Sequence, residues 1–176
     1  MHVHTHVLSG WVAGNLPDLS ARERLLCMAA ATAPDLDGLG VLVSDRLYWD
    51  WHHVLGHNAL AAVLVSGILA AFSPRRLRAF LLCLACFHLH LVLDYWGSGP
   101  GWEIRYFWPF SIRGFLSPNA WPLSSWQNAA AGGILLAWTL GIAVRRGRTP
   151  LECWRPAWDA KAVEGIRSLL GRLRRA

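Results

Sequence analysis

The chain has 176 residues, enough for one domain of ordinary size and too few for a second large core. Apolar residues make up 54% and charged residues only 16%, yet 17 Lys and Arg outnumber 11 Asp and Glu. Because the Arg residues form brief clusters rather than a surface stripe, this composition argues against nucleic-acid binding and indicates a small membrane protein. The 11 Trp agree, since Trp collects at membrane–water interfaces. A soluble helical protein with an apolar core is the alternative.

The first two predicted helices form a hairpin. A short helix over residues 6–16 ends in an Asn-Leu-Pro-Asp turn. A second helix follows over residues 21–33, where Ser20 and Glu23 form a capping box and Pro34 ends the helix.

Three further apolar helices are predicted at residues 58–72, 77–95 and 127–144. The first is shorter than the ~20 residues that a bilayer requires, whereas the second is long enough to cross one. The segments 35–53 and 97–122 are rich in Gly, Pro, Asp and aromatic residues, so both are predicted to be loops.

The tail over residues 159–176 has apolar residues on one face and Arg elsewhere, including Arg174 and Arg175. This pattern is typical of an amphipathic basic helix that lies on an anionic membrane surface. The predicted fold is therefore all-α, a small helical membrane bundle of four to five helices plus this C-terminal helix. Residues 1–150 would form one membrane-associated domain with a metal site, and residues 151–176 the basic tail.

Two ionisable residues, His90 and Asp94, lie inside the apolar segment 77–95. Their spacing of four places them on one face of a helix. Burying such groups without partners is costly, and a metal ion is a partner that an imidazole and a carboxylate can share. A hydrogen-bonded pair that braces the bundle is the alternative. His88 points the opposite way and is interpreted as a packing or interfacial residue.

Antiparallel hairpins would bring more ligands to this pair, because residues equally far from a turn lie at the same height. His57 and Asp94 are about equally far from the predicted turn that joins their helices. In the first hairpin, His6 lies at the same end as Asp35 and Asp37. Both hairpins would therefore have a ligand-rich end.

The opposite ends of the predicted helices carry Arg clusters. By the positive-inside tendency, these ends and the C-terminus would be cytoplasmic. The ligand-rich end, which also carries most of the Trp residues, would then face the outer membrane–water interface. The Arg residues concerned are Arg22, Arg24, Arg75, Arg76, Arg78, Arg145, Arg146 and Arg148.

The ligand types indicate hydrolytic chemistry. Histidine and carboxylate without cysteine are typical of a hydrolytic zinc or manganese site. More than four ligands indicates two or three ions, which together can clamp both the attacking and the leaving oxygen of a phosphate ester. His52 and His57 share a helical face poorly, so His52 can join only from a non-helical segment. The Asp35 and Asp37 string could instead be a plain helix stop.

Four motifs occur in the order found in the predicted membrane-bound metal-dependent hydrolases, and over residues 1–115 the chain resembles that bacterial inner-membrane family. The motifs are HVLSGWVAG from His6, PDLD from Pro34, HHVLGHN from His52 and HLVLD from His90. The third keeps both histidines of the family's His-Arg-Gly-x-Thr-His-Ser, with His53 in place of the Arg. The family is distantly similar to zinc-dependent phospholipase C and single-strand nucleases. The resemblance implies metal ligation by His6, Asp35, Asp37, His52, His57, His90 and Asp94.

The sequence thus predicts a metal-dependent hydrolase in the inner membrane that acts on a phosphoester, on a lipid or a lipid-linked substrate, through metal-activated water. Asp37 or Asp35 would orient or deprotonate that water. Zinc is the expected metal, in two or three ions, with manganese as the alternative. The expected partners are the lipid bilayer and the substrate. The alternative function is metal binding without catalysis, by a metal-handling module or a degenerate family member.

Overall fold

The computed structural model describes residues 1–173, which form seven α-helices and two 3₁₀ helices with no β-strand. The predicted all-α fold is confirmed; Arg174 and Arg175 of the predicted tail lie outside the described residues. The α-helices are α1 (Val3–Gly14), α2 (Ala21–Thr32), α3 (Asp45–Trp51), α4 (Ala59–Ala71), α5 (Arg76–Gly97), α6 (Trp126–Arg146) and α7 (Pro156–Leu173), and the 3₁₀ helices are Ala33–Leu42 and Pro150–Cys153.

The predicted boundaries hold where capping residues define them. Ser20 and Glu23 form the capping box before α2, with the Ser20 side chain accepting from the Glu23 N–H. The Asn58 side chain caps α4 by accepting from the N–H of Ala61. Gly147 ends α6 with φ of 65°, a left-handed conformation that glycine adopts without steric cost.

The segment 35–53, predicted as a loop, is instead largely helical. A 3₁₀ helix continues from α2 to Leu42, and α3 follows after Ser44, whose side chain caps it. The α-helix ends before Pro34, but helical structure continues, because Pro34 lies in the first turn of the 3₁₀ helix, where no backbone N–H is needed. The second predicted loop is confirmed: within residues 98–125 only a single β-bridge forms, between Ile104 and Phe115.

Five of the helices form the bundle. α1 packs on α2 and α6, and α5 packs on α2 and α4. Close approach of α1 and α2 requires Gly10, because a Cβ there would lie 2.7 Å from the Cys27 carbonyl oxygen and 2.8 Å from the Ala31 Cβ. Cys27, Cys83 and Cys86 are buried in the core between these helices.

Three helical segments, Ala21–Leu42, Arg76–Gly97 and Trp126–Arg146, are long and apolar enough to cross a membrane, while α4 is shorter. The surface of the bundle is consistent with a membrane location, because large apolar side chains cover the outward faces of α4, α5 and α6, as expected for helices that face lipid. These exposed side chains include Val63, Leu64, Ile68, Leu77, Leu81, Val92, Ile134, Leu136 and Trp138.

The Arg-rich turns meet at one end of the bundle, as the hairpin pairing predicts. Arg148 Nε donates to Asn15 Oδ1 at 3.0 Å, and Arg78 Nη2 donates to the carbonyl oxygen of Asp18 at 3.0 Å. Arg24 is buried and pairs with Glu152 at 2.5 Å, which fastens the second 3₁₀ helix to α2. The opposite end of the bundle holds the predicted metal ligands.

Candidate metal centre

Asp94 lies at the centre of a buried cluster of imidazoles. Its Oδ1 is 3.2 Å from His6 Nε2, and its Oδ2 is 2.9 Å from His90 Nε2 and 3.3 Å from His57 Nε2. His53 Nε2 is further away, 3.8 Å from Oδ2. All five side chains are almost completely shielded from solvent. The backbone nitrogen of Met1 also contacts Oδ1.

Four separate elements supply the cluster. α5 presents His90 and Asp94 one turn apart, and α1 presents His6 from the adjacent helix. The 3₁₀ helix after α2 supplies Asp35 and Asp37. Three further histidines, His52, His53 and His57, come from the non-helical segment between α3 and α4. His52 therefore reaches the cluster from a non-helical segment, as its spacing from His57 predicts.

Hydrogen bonds fix the orientation of the His90 ring. Its Nδ1 is 2.8 Å from the carbonyl oxygen of Ala31, which can only accept, so Nδ1 carries the proton. Its Nε2 therefore presents a lone pair, and this lone pair points at Asp94 Oδ2 and at His57 Nε2, 3.1 Å away. Electron-rich atoms that converge at such distances need a proton or a cation between them.

Asp37 holds two imidazoles from the other side. Its Oδ1 is 2.6 Å from His52 Nδ1, and its Oδ2 is 3.0 Å from His57 Nδ1 and 2.9 Å from the Gly56 N–H. A carboxylate on Nδ1 fixes the tautomer and leaves Nε2 free as a ligand, the usual arrangement around metal-bound histidine.

Electrostatics distinguish two neighbouring histidines of this segment. Burial lowers the pKa of His57, but hydrogen bonds with Asp37 and Asp94 outweigh burial and raise the pKa to about 9. Burial lowers the pKa of His53 well below its usual range, and the adjacent His57 adds to the effect. Without a metal, the site therefore keeps a proton on His57 between two carboxylates, and metal binding would displace such a proton.

The residues present fit divalent ions. Tetrahedral zinc with bonds of about 2.0–2.1 Å sets neighbouring ligand atoms about 3.3 Å apart, close to the 2.9–3.3 Å separations of His6, His57 and His90 from Asp94. Both ring nitrogens of His6 and the Oδ2 of Asp35 are buried and have no hydrogen-bond partner among residues 1–173. Three groups have ligand atoms close enough to share an ion: His6, Asp35, His90 and Asp94; Asp37, His52 and His57; and His53, His57 and Asp94.

The structure brings all seven predicted ligands into these groups. His53 joins them although it is outside the predicted ligand set. His88 does not: its Nδ1 bonds the Leu84 carbonyl oxygen at 2.8 Å and its Nε2 the Tyr106 hydroxyl at 2.9 Å, in keeping with its interpretation as a packing residue. His2 and His4 stack on each other outside every group found in residues 1–173.

A cavity of about 390 Å³ opens onto the cluster. Asp35, His52 and His53 form part of its wall, so they are the residues of the cluster that a bound molecule would meet. Tyr48 and Trp102 form an aromatic side of the same cavity. The two rings meet edge to face, with centroids 5.5 Å apart, and give a partly apolar surface beside the charged one.

Fold and site together define an all-helical membrane protein with a buried cluster of histidine and aspartate, suited to metal ions, at one end of its bundle. The chain belongs to the YdjM inner membrane protein family, whose model matches residues 1–160. This match and the three apolar helices support the predicted membrane location. None of the curated proteins and none of the solved structures matches the chain.

Proposed function

We propose that this protein is a metal-dependent hydrolase that acts on a phosphoester. The observation that carries the proposal is the sharing of ligands: Asp94 and His57 each belong to two of the three groups. Ions in these groups would lie side by side, beneath a cavity large enough for a small substrate headgroup. Adjacent divalent ions lower the pKa of water and act as Lewis acids toward phosphate oxygens. We propose in addition, as the resemblance implies, that the chain is distantly similar to zinc-dependent phospholipase C.

The two candidate catalytic carboxylates have different surroundings. Both oxygens of Asp37 are engaged by His52, His57 and the Gly56 N–H, so Asp37 suits the positioning of imidazoles. Asp35 lines the cavity, and its Oδ2 has no hydrogen-bond partner in the part of the chain that the structure describes. In the proposed reaction, Asp35 therefore orients the attacking water or accepts its proton.

The surroundings of the cavity favour an amphiphilic substrate. The 3₁₀ helix and α3 beside it expose Leu36, Leu39 and Trp49 to more than half of their full extent. Because the 3₁₀ helix forms the last part of a segment that can cross the membrane, Ala21–Leu42, and α3 follows it, both elements would lie at the level of lipid headgroups. A lipid or lipid-linked phosphoester could then reach the site from the bilayer.

Hydrolysis is tested with the full chain purified in detergent and a chromogenic phosphodiester. We expect turnover that a chelator abolishes and that Zn²⁺ or Mn²⁺ restores, because the histidine and carboxylate donors suit both ions. A protein that binds metal but turns over neither phosphodiesters nor phosphomonoesters would be the non-catalytic metal binder. A protein that binds no divalent metal would contradict both functions.

We also propose that the metal centre faces the outer side of the membrane and that the Arg-rich end is cytoplasmic. Arg145 and Arg146 end α6, and Arg148 follows it. By the positive-inside tendency, the chain after Arg148 should be cytoplasmic, so a reporter enzyme that works only in the cytoplasm is expected to be active when fused there. Activity of a reporter that folds only in the periplasm would reverse the orientation.

A further inference from the structure

His53 is held in a conformation that few residues other than glycine adopt. Its φ of 67° lies in the left-handed region, which is uncommon for non-glycine residues, although Asn, Asp and His enter it more often than the others. The residue is only 3% exposed, and its carbonyl oxygen accepts from the Arg105 N–H at 3.3 Å. The backbone turn directs the ring toward the cluster rather than toward solvent.

The hydrogen bond of the ring defines which nitrogen is free. His53 Nδ1 is 3.1 Å from the carbonyl oxygen of Trp102, so Nδ1 carries the proton and Nε2 carries the lone pair. Nε2 makes no hydrogen bond to any residue in the described part of the chain and lies 3.8 Å from Asp94 Oδ2. The ring stacks on His57 with centroids 4.2 Å apart and planes 21° apart, so the two imidazoles run side by side toward the same carboxylate.

We propose that His53 is an additional metal ligand, which binds through Nε2 together with His57 and Asp94. The inference rests on the proposed metal-dependent function and adds a residue to its site. The carbonyl oxygen of Trp102 accepts a hydrogen bond from His53 Nδ1, as outer-shell acceptors do when they orient a metal-bound histidine.

The position of His53 assigns this ligand group to the substrate side. His53 lines the cavity, whereas His6 and His90 lie deeper among the helices. An ion held by His53, His57 and Asp94 would therefore lie beside the cavity that Trp102 also lines, on the side from which a phosphate group enters. Trp102 contacts both the ligand group and the aromatic side of the cavity, because its carbonyl orients His53 while its indole stacks on Trp49 at 4.7 Å.

The test replaces His53 by Asn, a residue that tolerates the left-handed backbone and cannot supply the imidazole nitrogen. We expect His53→Asn to lose one metal equivalent by elemental analysis after dialysis, or to bind that equivalent about tenfold or more weakly. The visible spectrum of bound Co²⁺, which depends on the number and kind of ligands, is expected to change. The matched control is His88→Asn, which removes a half-buried histidine that belongs to none of the ligand groups.

The outcomes separate this inference from the proposed function. Wild type and His53→Asn with equal metal content and identical Co²⁺ spectra would overturn the role of His53 and leave the metal centre intact. Wild type without metal would contradict the proposed function itself. If His53→Asn does not fold, His53→Gly fits the same backbone, and restoration of the wild-type Co²⁺ spectrum by added imidazole supports the proposal, whereas no restoration overturns it.

Discussion

Replacement of Asp94 by Asn is expected to remove bound metal and abolish phosphodiester turnover. Asp94 is the residue that joins His6, His57 and His90, so its loss affects two ligand groups at once. An amide is neutral and presents N–H groups where the imidazole lone pairs converge. Loss of an outer-shell partner alone weakens metal binding about 10- to 100-fold. Because Asp94 would be a direct ligand, we expect Asp94→Asn to lower the metal affinity by more than ~100-fold.

The measurement is metal content by elemental analysis, together with turnover of the chromogenic phosphodiester. The control is Asp50→Asn, which makes the same chemical change in an exposed aspartate that pairs with Arg46 at 3.4 Å. That variant should retain wild-type metal content, since exposed pairs contribute little. Asp94→Asn protein with a full complement of metal would show that Asp94 is not a ligand.

Replacement of Gly56 by Ala is expected to separate the histidine segment from the aspartates. A Cβ at this position would lie 2.2 Å from the Pro34 carbonyl oxygen and 3.1 Å from Asp37 Oδ2. The obstacle is backbone, which cannot rotate away as a side chain can, so the segment from His52 to His57 must move. Overpacking of this kind costs about 1–3 kcal/mol, and we expect a lower unfolding temperature together with reduced metal content.

The matched control is Gly133→Ala in α6, because a Cβ there meets nothing within 4 Å. Alanine is favoured over glycine within a helix by about 1 kcal/mol, so this variant should be as stable as wild type or more so. Equal metal content in Gly56→Ala and Gly133→Ala would mean that the contact between Gly56 and Pro34 does not position the site.

Much of the site follows from helix geometry alone. The pairing of His90 with Asp94 follows from a spacing of four on a helix, and the approach of His57 follows from its distance to the turn. The presence of His6 and Asp35 at one end follows from the first hairpin in the same way, whereas the approach of Asp35 to His90, at 3.7 Å, also requires that the two hairpins pack with their ligand-rich ends together. These contacts were predictable because regular helices convert sequence spacing into position without further information.

Other parts of the site could not be predicted in this way. The 3₁₀ helix after Pro34 and the left-handed turn at His53 depend on tertiary contacts, in particular on the Gly56 N–H that reaches Asp37. The acceptors that orient the rings of His90 and His53 are backbone carbonyls from distant elements, to which any residue type could contribute. The signal available for His53 was its spacing of four from His57, but these residues lie outside a helix.

Metal binding by the cluster around Asp94 can be observed by anomalous diffraction from crystals grown with zinc. We expect an anomalous peak at the zinc edge within about 2.0–2.2 Å of His90 Nε2 and of a carboxylate oxygen of Asp94. We also expect at least one further peak beside His57. Zinc peaks only at surface residues, with none near His90 and Asp94, would show that this cluster does not bind divalent metal ions.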